Sequence, residues 1–243
     1  ETTSEGIKQY RHLGIRYDVA VFTNLTPEHI EAHRSFENYK EAKGDLFRAL
    51  KNPHWLTQFL GVKPRIKKVS VINGDDPHAP YFFEFGADEK WVYGIKNYAG
   101  EKSRAVLVRE YRLSQEGAEF TIEWLGKRYA CKTKLLGLFN VYNCAASIAV
   151  ALSQGIGMDV ALRALLTMPP VPGRMEIIHD PRRDITVVVD YAHDPAALEA
   201  VYKTISKLRD GSSIIAVLGA VGGGRDKAKR PKLGALAARY AKF

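Results

Sequence analysis

The chain has 243 residues and a mass of 27.2 kDa, with 46% hydrophobic and 26% charged residues. That is long enough to bury a core without disulfides or a structural metal, and the composition excludes intrinsic disorder, a collagen-like repeat and a coiled coil. The formal net charge of +9 admits either nucleic acid or a polyanionic small molecule as ligand, and charge alone does not separate them.

Cys131 and Cys144 are the two cysteines, and neither sits in a CxxC pair, a usage that fits a reducing compartment. No apolar run approaches the ~20 residues of a membrane span, and no signal peptide is visible, so no membrane partner is expected. The chain opens on Glu1 rather than Met, and it is expected to be a fragment.

Asp18 to Thr23 is a short β-branched run that reads as a buried strand. Ser35 to Leu50 carries Phe36, Tyr39, Leu46, Phe47 and Leu50 at helical spacing, with Ser35 as the N-cap. Val69 to Asn73 is a second buried strand, closed by the acidic turn Gly74-Asp75-Asp76-Pro77, which reads as structural. YFFEF, WVYGI, RAVLVREYRL, AEFTIEWL and KRYACKTK follow between Tyr81 and Lys134 and suggest an antiparallel meander attached to an α/β body. Phe139 to Leu152 and Met158 to Leu166 read as buried helices. Three prolines and a glycine between Met168 and Gly173 cannot continue a helix and mark a linker. Beyond it the order is strand (Ile185 to Asp190), helix (Pro195 to Leu208), strand (Ser213 to Gly219), Gly-rich loop and helix (Lys229 to Ala241), which predicts a right-handed parallel unit.

Four places can carry chemistry. Asp190 and His193 end a strand, where ligands of open α/β sheets bind. An aspartate there holds ribose hydroxyls, or else caps the next helix. Gly219 to Gly224 with Arg225 would bring backbone N–H groups and a guanidinium to a carboxylate or phosphate, although neither a Walker A loop nor GxGxxG is present. Asn140 and Asn143 lie three apart at the start of a helix, on one face, suited either to an adenine edge or ribose, or to capping. His29 and Glu1 could ligate a hard cation, with Lys43 in the helix beyond; a lone histidine after a strand is more often a plain loop residue.

These segments together resemble the Mur ligase family, the ATP-dependent ligases that add amino acids to the peptidoglycan precursor. Glu1-Thr2-Thr3-Ser4-Glu5-Gly6, Thr23 to His29, Tyr39 to Lys43, Val71 to Asp76, Gly137 to Asn143, Pro172 to Glu176 and Asp190 to His193 fall in the family's order, nearly end to end. The form PGRME with DYAH and RDxxKRP is most similar to the branch that makes the tripeptide.

The resemblance implies an α/β fold: a central ATPase domain over residues 1–171 with a mostly parallel sheet and a small antiparallel sheet, then the start of a Rossmann-like domain over 172–243. It implies ATP and Mg²⁺ as cofactors and a bacterial cytoplasmic setting. The reaction implied is amide-bond formation through an acyl phosphate, adding meso-diaminopimelate or L-lysine to UDP-N-acetylmuramoyl-L-alanyl-D-glutamate. Glu1 and His29 would hold Mg²⁺, and Lys43 matches a position carbamylated in the family, able to hold a second ion. Thr3, Gln9 and Arg11 match contacts to the UDP-muramoyl substrate, and Asn140, Asn143, Arg174 and Asp190 match ATP contacts, with His193 in the same motif. Arg225 matches a contact to the incoming amino acid's carboxylate.

Departures from the pattern are local. The usual GGDRD reads Gly222-Gly223-Gly224-Arg225-Asp226, and YAHTPD reads Tyr191-Ala192-His193-Asp194-Pro195-Ala196. The family's phosphate-binding loop is not in the chain, which by itself is therefore expected not to turn over. Three rivals remain at this level: a folylpolyglutamate synthase-like sister ligase, whose motif reads DGAHN rather than DYAH; a non-catalytic binding module; and a nucleic-acid binder, a partner the resemblance does not imply.

Overall fold

The computed structural model describes residues 1–13, 15–28, 30–50, 66–96, 104–209, 211–219 and 227–242. Six strands are hydrogen-bonded in chain order: β1 (Val19–Phe22), β2 (Val69–Asn73), β3 (Glu89–Gly94), β4 (Ala105–Ser114), β5 (Gly117–Trp124) and β6 (Lys127–Thr133). The first four run parallel, with Val19 opposite Val69, Val69 opposite Glu89 and Val92 opposite Ala105. All five residues of β2 are buried, as a parallel strand covered on both faces requires. Two-residue connections join β4 to β5 and β5 to β6, which only antiparallel neighbours allow. At the second, Leu125 (φ 51°) and Gly126 (φ 71°) form the left-handed pair of a type I′ hairpin. The result is an α/β fold on a mostly parallel sheet.

Two expectations change here. WVYGI is the third parallel strand rather than part of the meander, which begins only at β4. YFFEF is not a strand: Ala79–Glu84 is helical, with Pro80 in its first turn and Phe82 fully buried, stacked on Phe22 at 3.9 Å between ring centroids. Packing of that ring overrides the β-preference of the aromatic run.

The chain divides into two compact units, Glu1–Arg109 with Ile122–Tyr129 and Tyr142–Ala161, and Glu110–Thr121 with Ala130–Val141 and Leu162–Phe243. In the first, α1 (Ser4–Lys8) and α2 (Ile30–His33) pack on α3 (Phe36–Ala49), and α4 (Ala79–Glu84) packs on β2. Ser35 caps α3 through Asn38 N–H at 3.1 Å, as its position predicts. Ala20, Phe22, Tyr39, Phe47, Ile72 and Phe82 form the core of this unit. The helices α5 (Leu138–Ser153) and α6 (Met158–Thr167) follow the meander, and α6 ends where the prolines begin.

The second unit holds β7 (Glu176–Asp180) and β8 (Ile185–Val189), a two-stranded antiparallel sheet with Glu176 opposite Val189. It also holds α7 (Pro195–Leu208) and α8 (Lys229–Tyr240), with Leu198, Tyr202 and Leu233 buried between them. The predicted parallel unit is not formed among the described residues: β8 pairs with β7, and Ser213–Gly219 is not a strand. A strand exists only through its ladder, and this segment instead packs Ile214 and Ala216 on the α7–α8 core while Val217 stands fully exposed. β7 escapes sequence reading because Glu-Ile-Ile-His-Asp shows no alternation. No described helix is long and apolar enough to cross a membrane.

Candidate active site

The loop after β1 that bears Glu28 and the acidic turn after β2 meet at the carboxyl end of the sheet, where open parallel sheets place their ligands. Lys43 stands half-buried on α3, its Nζ 5.1 Å from the centroid of the Tyr39 ring. Burial lowers its pKa, against the opposing pull of the Glu28 and Glu1 carboxylates, so the structure does bring Glu1 and Lys43 into electrostatic contact. Glu28 is the member of this group that sequence reasoning passed over. It lies beside His29 in the same motif, and only the fold shows its charge facing Lys43. His29 itself lies outside the described residues.

Glu1 reaches this place because the following turn is tied down. The Ser4 hydroxyl and His33 Nε2 are hydrogen-bonded at 3.1 Å in a buried contact, and Lys8 Nζ donates to the Ala32 carbonyl at 3.2 Å. Thr3 is the N-cap of α1, its Oγ1 accepting from Gly6 N–H at 3.1 Å, and Gln9 is the C-cap. Arg11, like Gln9 and Thr3, is exposed. These three thus line one exposed turn, with the Thr3 oxygen already used once.

The acidic turn after β2 is structural, as its sequence suggests, and it shapes the site. Asp76 accepts from Leu25 N–H at 3.0 Å and His78 N–H at 2.8 Å, which pins the start of the loop bearing Glu28. Asn73 donates to the Thr23 carbonyl at 2.7 Å, and the Tyr93 hydroxyl donates to the Phe22 carbonyl at 3.0 Å. Burial, with Asp76 and Asp75 nearby, raises the Tyr93 pKa and keeps that donor protonated. Asn143 is exposed one residue beyond Tyr142 on α5.

In the second unit, Asp190 accepts from Met175 N–H at 2.8 Å and from Ala192 N–H at 2.7 Å, tying the turn after the prolines to the end of β8. It does not cap α7; Asp194 does, accepting from Ala197 N–H at 2.9 Å. The Arg174 guanidinium lies over the Tyr191 ring at 5.0 Å, and Tyr191 packs edge-on to His193 at 5.3 Å. Arg174, Asp190 and His193 therefore form one cluster. The Asn140 amide, in the first turn of α5, donates to the Leu136 carbonyl just ahead of that helix at 2.8 Å. Arg225 and the Gly-rich loop over 220–224 lie outside the described residues. Among the described residues, no group of three His, Cys, Asp or Glu side chains is assembled to hold a metal ion.

Residues 1–151 match the Mur ligase middle domain, and residues 173–243 match the Mur ligase glutamate ligase domain. The chain is 39% identical over 241 residues to the UDP-N-acetylmuramoyl-L-alanyl-D-glutamate–2,6-diaminopimelate ligase of Geobacillus thermodenitrificans, covering 99% of this chain and 46% of that protein. It is 35% identical over 240 residues to the ligase of the same name from Aquifex aeolicus, covering 99% of this chain and 44% of that one. The chain thus spans a little under half the length of these curated relatives. A solved structure of a ligase of that name, 31% identical, superposes with a TM-score of 0.67 over 98% of this chain and 45% of the other. A MurF ligase from Thermotoga maritima, solved with ADP, shares the fold with a TM-score of 0.71 over 96% of this chain and 49% of its own, at 19% identity.

Proposed function

Because this chain belongs to the Mur ligase family, we propose that the protein containing it is an ATP-dependent ligase joining 2,6-diaminopimelate to UDP-N-acetylmuramoyl-L-alanyl-D-glutamate. The observation that carries this reading is the 39% identity to a diaminopimelate ligase across 99% of the chain. The two matched domains support a boundary at 171/172, in the proline-rich segment after α6. The proposed compartment is the bacterial cytoplasm, which suits two buried cysteines that are not joined in a disulfide.

In the reaction proposed, the peptide carboxylate oxygen takes the γ-phosphoryl group of ATP and ADP departs. The amine nitrogen then attacks the acyl carbon, phosphate leaves with the carbon–oxygen bond, and the nitrogen gives up a proton as the amide forms. Positioning and charge neutralisation dominate such phosphoryl transfer. Asn140, Asn143, Arg174 and Asp190 would hold the nucleotide, with His193 beside them. Thr3, Gln9 and Arg11 would hold the UDP-muramoyl peptide, and Arg225 the amino acid's carboxylate.

Glu1 and Glu28 offer hard carboxylate oxygens of the kind Mg²⁺ takes, and His29 would complete that set. The ion, when bound, offsets the charge of the phosphates. As an ammonium, Lys43 would oppose a cation; its lowered pKa favours the neutral amine. The neutral nitrogen adds to carbon dioxide with loss of a proton, and the resulting carbamate presents two more oxygens.

The test is phosphate release by the full-length protein with ATP and the UDP-muramoyl dipeptide, supplying diaminopimelate or lysine in turn. Turnover that requires diaminopimelate and is lost in Lys43→Ala and His29→Ala is expected. Turnover with lysine alone would overturn the substrate, and turnover with neither from a folded protein would overturn the reaction.

A further inference from the structure

One carboxylate at the carboxyl end of the sheet is engaged far beyond the needs of a turn. Asp75 Oδ2 accepts from Ile95 N–H at 2.7 Å and from the Tyr142 hydroxyl at 2.6 Å, and Asp75 Oδ1 accepts from Lys96 N–H at 3.1 Å. Lys96 Nζ returns to the Asp75 carbonyl at 3.2 Å. On the other side, Asp75 N–H donates to Asn73 Oδ1 at 3.1 Å, and Asn73 in turn holds the Thr23 carbonyl after β1. The Asp75 side chain therefore joins the end of β3 to α5, and Asn73 links the same turn to the end of β1.

Gly94 makes this seat possible. A Cβ there would lie 2.8 Å from Asp75 Oδ1 and 2.9 Å from its Cγ, so only a residue without a side chain lets the carboxylate settle on the end of β3. The contact with Tyr142 is short and charge-assisted, the strong class of hydrogen bond, and it fixes the α5 backbone at the residue immediately before Asn143.

We propose that Asp75 and Tyr142 are a positioning pair for nucleotide binding: their hydrogen bond sets the place of the Tyr142–Asn143 segment of α5 against the strand ends, and so the reach of the Asn143 amide to ATP. This rests on the reading of Asn143 as a nucleotide contact. Neither residue touches the nucleotide; the pair acts through α5. A polar brace of this kind acts on binding geometry, because a displacement of about 1 Å in a positioning group is enough to weaken the interaction it aims.

The experiment uses the full-length protein and reads KM for ATP, KM for the UDP-muramoyl dipeptide, kcat, ADP affinity by calorimetry, and the melting temperature. Tyr142→Phe keeps the ring and removes only the hydroxyl. It is expected to raise the KM for ATP and weaken ADP roughly tenfold, with KM for the dipeptide unchanged within twofold. Gly94→Ala, which leaves both partners in place and displaces the carboxylate, is expected to move the same two constants in the same direction. In a double-mutant cycle, Tyr142→Phe should add nothing to Asp75→Ala, which removes both acceptor oxygens.

Unchanged ADP affinity in Tyr142→Phe would overturn the pairing, as would additive effects in the cycle. So would a fall in affinity for both substrates in step with the melting temperature, which is what a plain structural staple would give. A wild-type protein that binds no nucleotide would overturn the ligase reading first and this proposal with it, so the two failures are told apart by the wild-type control.

Discussion

Gly44 lies inside α3, one residue from Lys43, where glycine costs helix stability. An alanine at an exposed helical position would gain about 1 kcal/mol. Here an added Cβ would sit 2.5 Å from Tyr81 Oη and 2.7 Å from Phe85 Cζ. Relief to ordinary contact needs the two ring tips to retreat by about 1 Å. Those rings are not free to do so independently: Tyr81 packs edge-on to both Phe82 and Phe85 at 5.2 Å, and Phe47 packs edge-on to Phe82 at 5.1 Å. Overpacking a filled core costs about 1–3 kcal/mol, which exceeds the gain in helix propensity. Gly44→Ala should therefore destabilise the chain by about 1 kcal/mol, read as a lower urea midpoint with an unchanged slope and a melting temperature lower by about 2–4 °C. Adding Tyr81→Phe removes the nearer atom and should recover about half of that loss. A midpoint that is unchanged or higher in Gly44→Ala would refute the claim that close approach of α4, rather than backbone freedom, explains glycine at this position.

Leu125 holds φ 51° on an exposed hairpin, a strained state for a leucine, so Leu125→Asn should stabilise by about 0.5–1 kcal/mol in thermal melts; no gain would contradict the type I′ geometry. Glu89 has its pKa lowered by hydrogen bonds from Lys67 and Trp91, so it stabilises the fold above the ordinary glutamate range, and that contribution disappears as pH falls through its depressed folded value. Urea midpoints of wild type and Glu89→Gln should differ at pH 7 and converge in acid. Because burial lowers the Lys43 pKa while the unfolded chain keeps the ordinary value of 10.5, the unfolded state binds more protons between the two, and stability contributed by this residue rises with pH across that window. The same shift places the neutral amine at lower pH than in other lysines. A ¹³C carbamate signal from labelled bicarbonate, absent in Lys43→Ala, should accordingly set in below the range where surface lysines react.

Much of the fold is legible wherever a local rule and the tertiary structure agree. Ser35 opens α3 and Pro195 opens α7 because capping and fixed φ are local properties, and VSVIN reads as a strand because three of its five residues are β-branched and apolar. Local rules fail where packing decides. YFFEF becomes α4 because Phe82 must lie on Phe22, and Ser213–Gly219 has every propensity of a strand but no ladder among the described residues. The site divides in the same way. Glu1 and Lys43 are visible in the sequence through their resemblance to a motif, whereas Glu28 gains its meaning only from the charge it turns toward Lys43. Asp76 and Leu25 are 51 positions apart, and Asp75 and Tyr142 are 67, separations across which no periodicity or spacing carries information.

Carboxylates near the strand ends look alike in sequence, and their hydrogen bonds sort them by what they have left to offer. An ionised carboxylate has about four acceptor positions. Asp75 spends its positions on two backbone amides and a phenol, and Asp76 holds one backbone amide on each oxygen to fix two loops. Asp75 thus has about one acceptor position left, and Asp76 about one on each oxygen. Asp190 is engaged as Asp76 is, with one amide on each oxygen and one acceptor position left on each, and it ties the turn after the prolines to the end of β8. Glu1 and Glu28 differ in kind, since what they face is the charge of a half-buried lysine. In the ligase reading proposed above, these two, rather than the more conspicuous Asp75-Asp76 pair, are the carboxylates that would take a hard cation beside Lys43.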